Sequence, residues 1–355
     1  MPFSSIDKPS KYFNTKLYTG DGTGAKAITG VGFQPDLVWL KTRSTAFHHQ
    51  LHDRVRGATA GAIYSSLTNA QDSNYPITSF DSDGFTLGNS ASLIADSFGS
   101  QNGSGTTMCS WNWKANGTGV SNTAGSITST VSASQTSGFS IVRYTGTGAN
   151  ATVGHGLGVA PKMIILKSRT DGAADWRVYH ASVGNTGYLQ LNATTATTTS
   201  STTWQNTTPT STVFSIGTSG TVNLNTGNFI AYCFAEVKGF SKAFSYTGNG
   251  SADGTFVYTG FKPAFLLIKQ SSGAGEYWQI IDNKRDTYNV TFNRLFPNVS
   301  DANNTGLNPN IDFLSNGFKC RTASSGTNGS GATFVYMAFA DSPFVSSKAI
   351  PTTAR

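Results

Sequence analysis

The sequence predicts an all-β protein: three tandem β-sandwich domains, jelly-roll or lectin-like, behind a short N-terminal arm. Three observations carry this. One frame of residues occurs three times at constant spacing, the apolar pattern alternates with period 2, and capped amphipathic helical stripes are almost absent.

The frame is Tyr-Thr-Gly-x-Gly, then Gly-x-x-Pro, then Lys. It reads Tyr18-Thr19-Gly20-x-Gly22, Gly32-x-x-Pro35, Lys41 in the first copy. It recurs as Tyr144-Thr145-Gly146-x-Gly148, Gly158-x-x-Pro161, Lys167, and as Tyr246-Thr247-Gly248-x-Gly250, Gly260-x-x-Pro263, Lys269. Tyr to Pro is 17 positions each time (35−18, 161−144, 263−246), and Pro to Lys is 6 (41−35, 167−161, 269−263). The period is 126 and then 102 residues (144−18, 246−144), the size of a domain and not of a solenoid repeat. Each copy is therefore expected to bury its own core without leaning on its neighbours.

Each part of the frame has a local reason. Tyr-Thr ends a strand with an aromatic and a β-branched residue. Gly-x-Gly supplies a tight turn with positive φ. Gly-x-x-Pro opens the next strand, where a residue without an N–H is tolerated. The apolar runs that follow, Leu37 to Leu40, Met163 to Leu166 and Ala264 to Ile268, read as central strands buried on both faces. The Lys is expected to mark the strand's emergence into solvent, its stem lying on the apolar edge. Further along come strand openings at Asp83 to Leu87, Val213 to Ile216 and Asn316 to Cys320. Each copy closes on an aromatic strand, near Trp111 to Trp113, Phe234 and Phe339. That makes six to eight strands in about 100 residues.

The expected boundaries are an arm over 1–16, sandwiches over 17–120, 121–240 and 241–345, and a frayed tail over 346–355. The second sandwich opens with a Ser/Thr-rich stretch in which Ile127 and Val131 add an edge strand. The arm lies outside the repeat, and its Tyr12 and Phe13 are candidates for docking to a larger assembly.

Charged residues are 12% of the chain, about half the usual share, which makes a neutral, hydrogen-bonding surface. Net charge is +7, but Lys8-x-x-Lys11 and Arg54-x-Arg56 are the densest basic runs and form no stripe, so no nucleic-acid partner is implied. Cys109, Cys233 and Cys320 cannot all pair with one another, and no CxxC pattern marks a metal. The N-terminus has no apolar leader core and no window reaches the length of a membrane span, so neither secretion by a leader nor membrane insertion is expected.

Candidate sites are sparse. His48, His49, His52 and Asp53 are the densest ligand-like cluster, but on a strand they divide between two faces and read as surface or loop residues; no metal is expected. Gly20-x-Gly22-x-Gly24 precedes a strand and not a helix, so it is turn chemistry. Paired acids are scarce, Asp81/Asp83 sitting in a turn, and no catalytic residue or cofactor is assigned. Trp176 and Trp278 share one position nine residues after the frame Lys (176−167, 278−269). They are either sugar-stacking platforms or packing residues.

The run Ile6 to Thr15, then YTGDGTG, GVGFQPDLVWLKTR and HDRVRGA, resembles a family of tailed-bacteriophage virion proteins. VGHGLGVAPKMIILKSR, FIAYCFAEVKGFSKAFSYTGNGSADGTFVYTGF and IDFLSNGFKCR resemble later blocks of that family, so the likeness covers nearly the whole chain. The resemblance implies a non-enzymatic structural or tail-fibre protein of repeated β-sandwich units. It implies assembly in the bacterial cytoplasm, virion proteins of the portal, tail or capsid as partners, a host-surface glycan as receptor, and a homo-oligomer, with a trimer favoured. The alternative is a head-decoration or tail-adaptor protein. No catalytic residue carries over.

Overall fold

The computed structural model describes residues 4–73, 77–88, 101–304 and 310–352. Residues 1–3 of the expected arm and 353–355 of the expected tail lie outside the described residues. The chain is 41% strand and 5% helix, an all-β fold.

The first copy contains β1 (Phe13–Thr19), β2 (Lys26–Thr29), β3 (Leu37–Thr42), β4 (Gln50–Asp53), β5 (Ile63–Tyr64), β6 (Ile77–Asp81), β7 (Gly84–Leu87) and β8 (Thr107–Trp113). The second contains β9 (Val120–Asn122), β10 (Ser129–Ser134), β11 (Phe139–Thr145), β12 (Ala151–Gly154), β13 (Met163–Ser168), β14 (Arg177–His180), β15 (Gly187–Tyr188), β16 (Thr198–Thr199), β17 (Val213–Ile216) and β18 (Asn228–Phe234). The third contains β19 (Ser241–Thr247), β20 (Phe256–Tyr258), β21 (Phe261–Gln270), β22 (Gln279–Asp282), β23 (Ile311–Leu314), β24 (Gly317–Cys320) and β25 (Thr333–Pro343).

All three copies pair their strands alike. The main sheets run β1-β8-β3-β4, β11-β18-β13-β14 and β19-β25-β21-β22, all antiparallel. The smaller sheets hold β2-β7, β12-β17 and β20-β24. The expected added strand is present in part: Val131 lies in β10, which pairs with β11 on one side and with the outermost strand β9 on the other, while Ile127 lies outside β10 and bridges Val153.

The frame residues explain this repetition. Tyr144 and Tyr246 stack on Phe229 and Phe334, with ring centroids 5.1 Å apart in both cases. Their hydroxyls donate to the Val222 and Thr327 carbonyls at 2.6 Å. The two glycines of the turn do different work. Gly22, Gly148 and Gly250 have φ of 69°, 73° and 66°, as expected. Gly20, Gly146 and Gly248 do not need positive φ. A Cβ there would lie 2.2, 2.3 and 2.3 Å from the carbonyl oxygens of Gly103, Leu224 and Gly329, so it is close approach of backbone that excludes a side chain. Pro35 and Pro161 stand just ahead of β3 and β13, whereas Pro263 lies inside β21, with register shifts on either side of it.

Each main sheet is buried on both faces. One face closes on the copy's own smaller sheet, giving three separate inner cores. The opposite faces meet in a fourth and larger core drawn from all three copies. At its centre the rings of Trp113, Phe234 and Phe339, which occupy equivalent ends of β8, β18 and β25, form a near-equilateral triangle with centroids 6.2, 5.8 and 6.0 Å apart. The expectation that each copy buries its core alone is thereby overturned. The second face of each main sheet packs into a core shared with the other two copies.

The joints between copies repeat around this axis and close on themselves. Two residues after the frame Lys, the carbonyls of Arg43, Arg169 and Ser271 accept from the N–H groups of Asn303, Gln71 and Thr197 at 2.8, 3.0 and 3.0 Å. Each acceptor and donor belong to different copies, in the order one to three, two to one, three to two. The same three joints carry the frame lysines. Lys41 Nζ donates to Ser300 O at 3.1 Å, Lys167 Nζ to Thr68 O at 2.8 Å and Lys269 Nζ to Thr194 O at 3.1 Å. The lysines do not emerge into solvent, as their place after an apolar run suggested; they are fully buried. Burial pushes all three ammonium groups down to about 8. The arrangement is a heterologous interface used three times and closed into a ring within one chain.

Candidate binding surface on the third copy

The ring absorbs most of the residues that the sequence offered as sites. Trp176 and Trp278 are buried, with no ring face left for a sugar. Their indole N–H groups donate across the joints, Trp176 Nε1 to Tyr64 O at 2.9 Å and Trp278 Nε1 to Gln190 O at 2.7 Å. Of the two readings, stacking platform and packing residue, the structure gives packing. Phe13 is likewise buried, stacked on Phe339 in the central core with centroids 4.9 Å apart. Tyr12 packs edge-on against Phe240. The arm is folded back: Ser4 and Ile6 are buried, and Asp7 accepts from the Ser347 N–H at 2.7 Å. That contact and the Val345–Pro351 bridge also tie down the tail, which the sequence suggested was frayed.

Of the histidine cluster, His48 is half-buried and lies with His49 in the loop ahead of β4, whereas His52 lies on β4 itself. His49 and His52 are buried and held neutral, burial lowering both well below the usual range. His180, at the position of Asp53 and Asp282 in the other copies, is lowered to about 4, chiefly by burial. Its Nδ1 accepts from Ser182 N at 3.2 Å and its Nε2 donates to Tyr336 O at 3.2 Å, in the third copy. Asp53 takes the Tyr232 hydroxyl at 2.9 Å and Arg56 Nε at 2.5 Å. Asp282 takes Trp111 Nε1 at 3.0 Å and Arg285 Nε at 2.6 Å. These buried acids are joint residues. Among the described residues no cluster of three or more metal-ligating side chains occurs, and no helix is long and apolar enough to cross a membrane. The three thiols are buried, free and pushed up to about 12 by burial, so they pack as small hydrophobes.

What remains exposed is unevenly distributed. Among the described residues the large exposed aromatics are Phe244, Phe256, Tyr258, Tyr277, Tyr288 and Phe292, and all six lie on the third copy. Elsewhere the large exposed apolar residues are aliphatic: Val120, Val159, Leu224 and Ile350. An aromatic ring in water carries a cost that neighbouring copies avoid, which makes this surface the candidate binding face.

One part of the face is a polar cavity of about 200 Å³ lined by Lys262, Asn283, Asp286, Tyr288, Asn289 and Phe313. It adjoins a shallower one of about 480 Å³ that shares Lys262 and Phe313. Its walls are fixed from within. Asp286 accepts from Phe292 N at 2.8 Å and Asn293 N at 2.7 Å, which curls the loop back on itself. Asn289 clamps Phe313, donating from Nδ2 to its carbonyl at 3.0 Å and accepting its N–H at 2.9 Å. Tyr288 projects from that loop at 85% exposure, the most exposed aromatic on the described surface. Asn283 Nδ2 donates to Asp341 Oδ1 at 2.9 Å, while its Oδ1 is buried with no partner. An exposed aromatic ring beside amide, hydroxyl and charged groups suits a polyhydroxylated ligand.

The chain belongs to the family described as Domain of unknown function (DUF7483). The family model matches residues 8–343, a span that runs through all three copies and every joint of the ring. No curated protein matches the chain.

Sequence reasoning missed Tyr288, Phe244 and Tyr258 as site residues because single aromatics on short strands and loops are ordinary core material. The usable signal was position. Tyr288 lies in the stretch after Lys269, where the copies diverge in sequence while the frame around them is held.

Proposed function

We propose that this chain is a non-enzymatic structural and binding protein of a bacteriophage virion, a tail-fibre or appendage component assembled in the host cytoplasm, and that its third copy contacts the host surface. The observation that carries this reading is the confinement of every large exposed aromatic among the described residues to one copy of the ring. The fold invests its repeated residues in turns and joints, and what differs between copies is displayed outward. The likeness of the sequence blocks to tailed-phage virion proteins supports the setting. The cavity beneath Tyr288 supports a glycan as the ligand: its polar groups are two amides, three hydroxyls, the Asp286 carboxylate and the Lys262 ammonium, and its apolar wall is the rings of Tyr288 and Phe313. Trimeric assembly of the chain belongs to the same reading, and repetition on one rigid object would multiply weak sugar contacts.

The test is binding of the purified chain to host envelope polysaccharide. Tyr288→Ala is expected to weaken binding at least tenfold with an unchanged melting temperature, since the ring is solvent-exposed. Full binding by that variant would remove the site from the proposal, and no binding by the unaltered chain would remove adhesion. Light scattering should give the mass of three chains; a monomer would overturn the trimer.

A second reading, a head-decoration or tail-adaptor protein whose partners are virion proteins, is favoured by the apolar character of Phe244 and Phe256, which suits a protein contact more than a sugar. Copy number per virion separates the two readings. A small multiple of six or twelve fits an appendage, and hundreds of copies fit decoration.

A further inference from the structure

The threefold repeat allows one place to be compared three times: the mouth of each sandwich, between the first strand of the main sheet and the first strand of the smaller one. In the second copy it is closed by chain. Strand β10 adds antiparallel to the edge of β11, with Val131 opposite Val142 and Ser132 opposite Ile141. Val131 and Val142 are both buried, and both belong to the inner core together with Val153 of β12. The opposite wall is made of glycine. A Cβ on Gly156 would stand 3.0 Å from Val131 and 3.1 Å from Ala133, and one on Gly158 would stand 3.3 Å from the Gln135 amide.

In the first copy the same place is polar. The positions of Ser140 and Val142 are taken by Asn14 and Lys16 (140−126, 142−126). Asn14 Nδ2 donates to Val31 O at 2.9 Å, and the Lys16 ammonium lies against Gly30. Asp83 accepts the N–H groups of Gly30 and Gly32 at 2.8 and 2.6 Å. Nothing apolar is left uncovered there.

In the third copy the mouth is apolar and open. The positions of Ser140 and Val142 become Lys242 and Phe244 (each +102), and, by their pairing with β17 and β24, those of Thr152 and Gly154 become Phe256 and Tyr258. Phe244 is 55% exposed where Val142 is fully buried, and Phe256 and Tyr258 are 45% and 54% exposed. Lys242 sits between the Phe244 and Tyr258 rings, 5.6 and 5.5 Å from their centroids, and donates to Tyr258 O at 2.9 Å. A cavity of about 410 Å³ lies beside it, floored by Ser241, Lys242, Tyr258 and Gly260, the counterparts of residues that β10 touches or pairs with in the second copy. Among the described residues β19 is the end strand of its sheet. Its open edge is only partly served: Ser241 N donates to Val237 O at 2.9 Å, and Ala243 N to the Glu236 carboxylate at 3.2 Å, a side chain standing where a strand's carbonyl would be. The alternation of the strand turns the Ser245 N–H to the same edge.

We infer that this mouth is a docking slot for an extended segment of a partner polypeptide, which adds antiparallel to β19 as β10 adds to β11. The chain itself shows what such an occupant looks like. It is a short strand with β-branched or small side chains toward the inner core and Ser or Thr on its other face, Thr130-Val131-Ser132-Ala133 in the second copy. In the third copy the inward side chain would rest on Phe244 and Tyr258, and a backbone carbonyl would take over the Ala243 N–H from Glu236. Main-chain pairing supplies the affinity and the aromatic floor selects the inward residues. The slot is separate from the Tyr288 cavity, so it stands or falls without the glycan reading.

The test uses the whole chain and a synthetic peptide spanning residues 126–135. Titration followed by NMR or fluorescence anisotropy should show saturable binding, and a photo-crosslinker at the position of Val131 should label Phe244, Phe256 or Tyr258. The variant Lys242→Asn/Phe244→Lys installs the first copy's residues at exposed positions, so its melting temperature should be unchanged while binding falls at least tenfold. Absence of saturable binding to the unaltered chain, equal binding by the variant, or crosslinks elsewhere would overturn the proposal. So would a host glycan, in place of the peptide, binding in a manner that the same variant abolishes.

Discussion

At the scale of single residues, the frame lysines show how far local context can mislead. A lysine after four apolar strand residues reads as the point where the strand meets water. Lys167 instead crosses a joint, dividing its protons between Thr68 O in the first copy and Ala174 O in its own, both at 2.8 Å. The sequence holds no information about what lies beyond the edge of the sheet, and that is what decides the burial of the residue. His180 is a joint residue of the same kind, with a measurable consequence. Burial depresses it to about 4, against about 6.5 in the unfolded chain. The unfolded state therefore takes up the proton first as pH falls. The stability contributed by the neutral ring is complete above about pH 6.5 and drains toward pH 4, the loss reaching about 2 kcal/mol by pH 5. The melting temperature should fall between pH 7 and pH 5, with His49 and His52 acting in the same direction, and His180→Gln should flatten that slope. An identical slope in the variant would show that His180 titrates alike in the folded and unfolded chain.

At the scale of elements, the sequence was most legible where backbone chemistry is local. The central strands β3, β13 and β21, the strand openings at β7, β17 and β24 and the closing strands β8, β18 and β25 all lie where the apolar runs and turn residues placed them. The added edge strand was legible too, because Val131 stands alone in a polar stretch. The role of the first frame glycine was not legible, since it comes from the approach of a distant loop. That difference gives a prediction. Gly146→Ala puts a methyl group 2.3 Å from Leu224 O, so the turn or the loop must move, and a loss of about 2 to 3 kcal/mol is expected in chemical denaturation. Gly184, whose added Cβ would meet nothing within 4 Å, has φ of 89° and should show only the smaller cost of an alanine at positive φ. Equal losses at the two sites would mean that conformation alone, and not close approach, explains the frame.

For the candidate site, the sequence pointed to the divergent stretches after each frame Lys but named the wrong aromatics within them. Trp176 and Trp278 stood out because tryptophan is rare and their spacing matched. Their indoles serve two of the three joints, the first copy having Gln50 at that position, so the shared spacing marked packing across a joint and not a ligand platform. The residues left to bind something are those that do not repeat: Tyr288, which has no counterpart in the frame, and Phe244, whose counterparts are Val142 and Lys16.

At the scale of the whole molecule, the period of about 100 residues suggested three self-sufficient domains, and the sequence alone had no means of showing the second face of each main sheet at work. That face looks the same in a strand list whether it meets solvent-shielding loops or another copy. In the structure it meets the other two copies, through Trp113, Phe234 and Phe339 on the axis and through three equivalent joints. A closed ring cannot lose one member without exposing two joints and a third of the central core. The copies should therefore form one cooperative unit, and the third can display exposed aromatics because the other two stabilise it. Differential scanning calorimetry of the intact chain tests this most directly. The account predicts one transition whose van't Hoff enthalpy equals the calorimetric enthalpy; three separable transitions, or a van't Hoff enthalpy near one third of the calorimetric value, would contradict it.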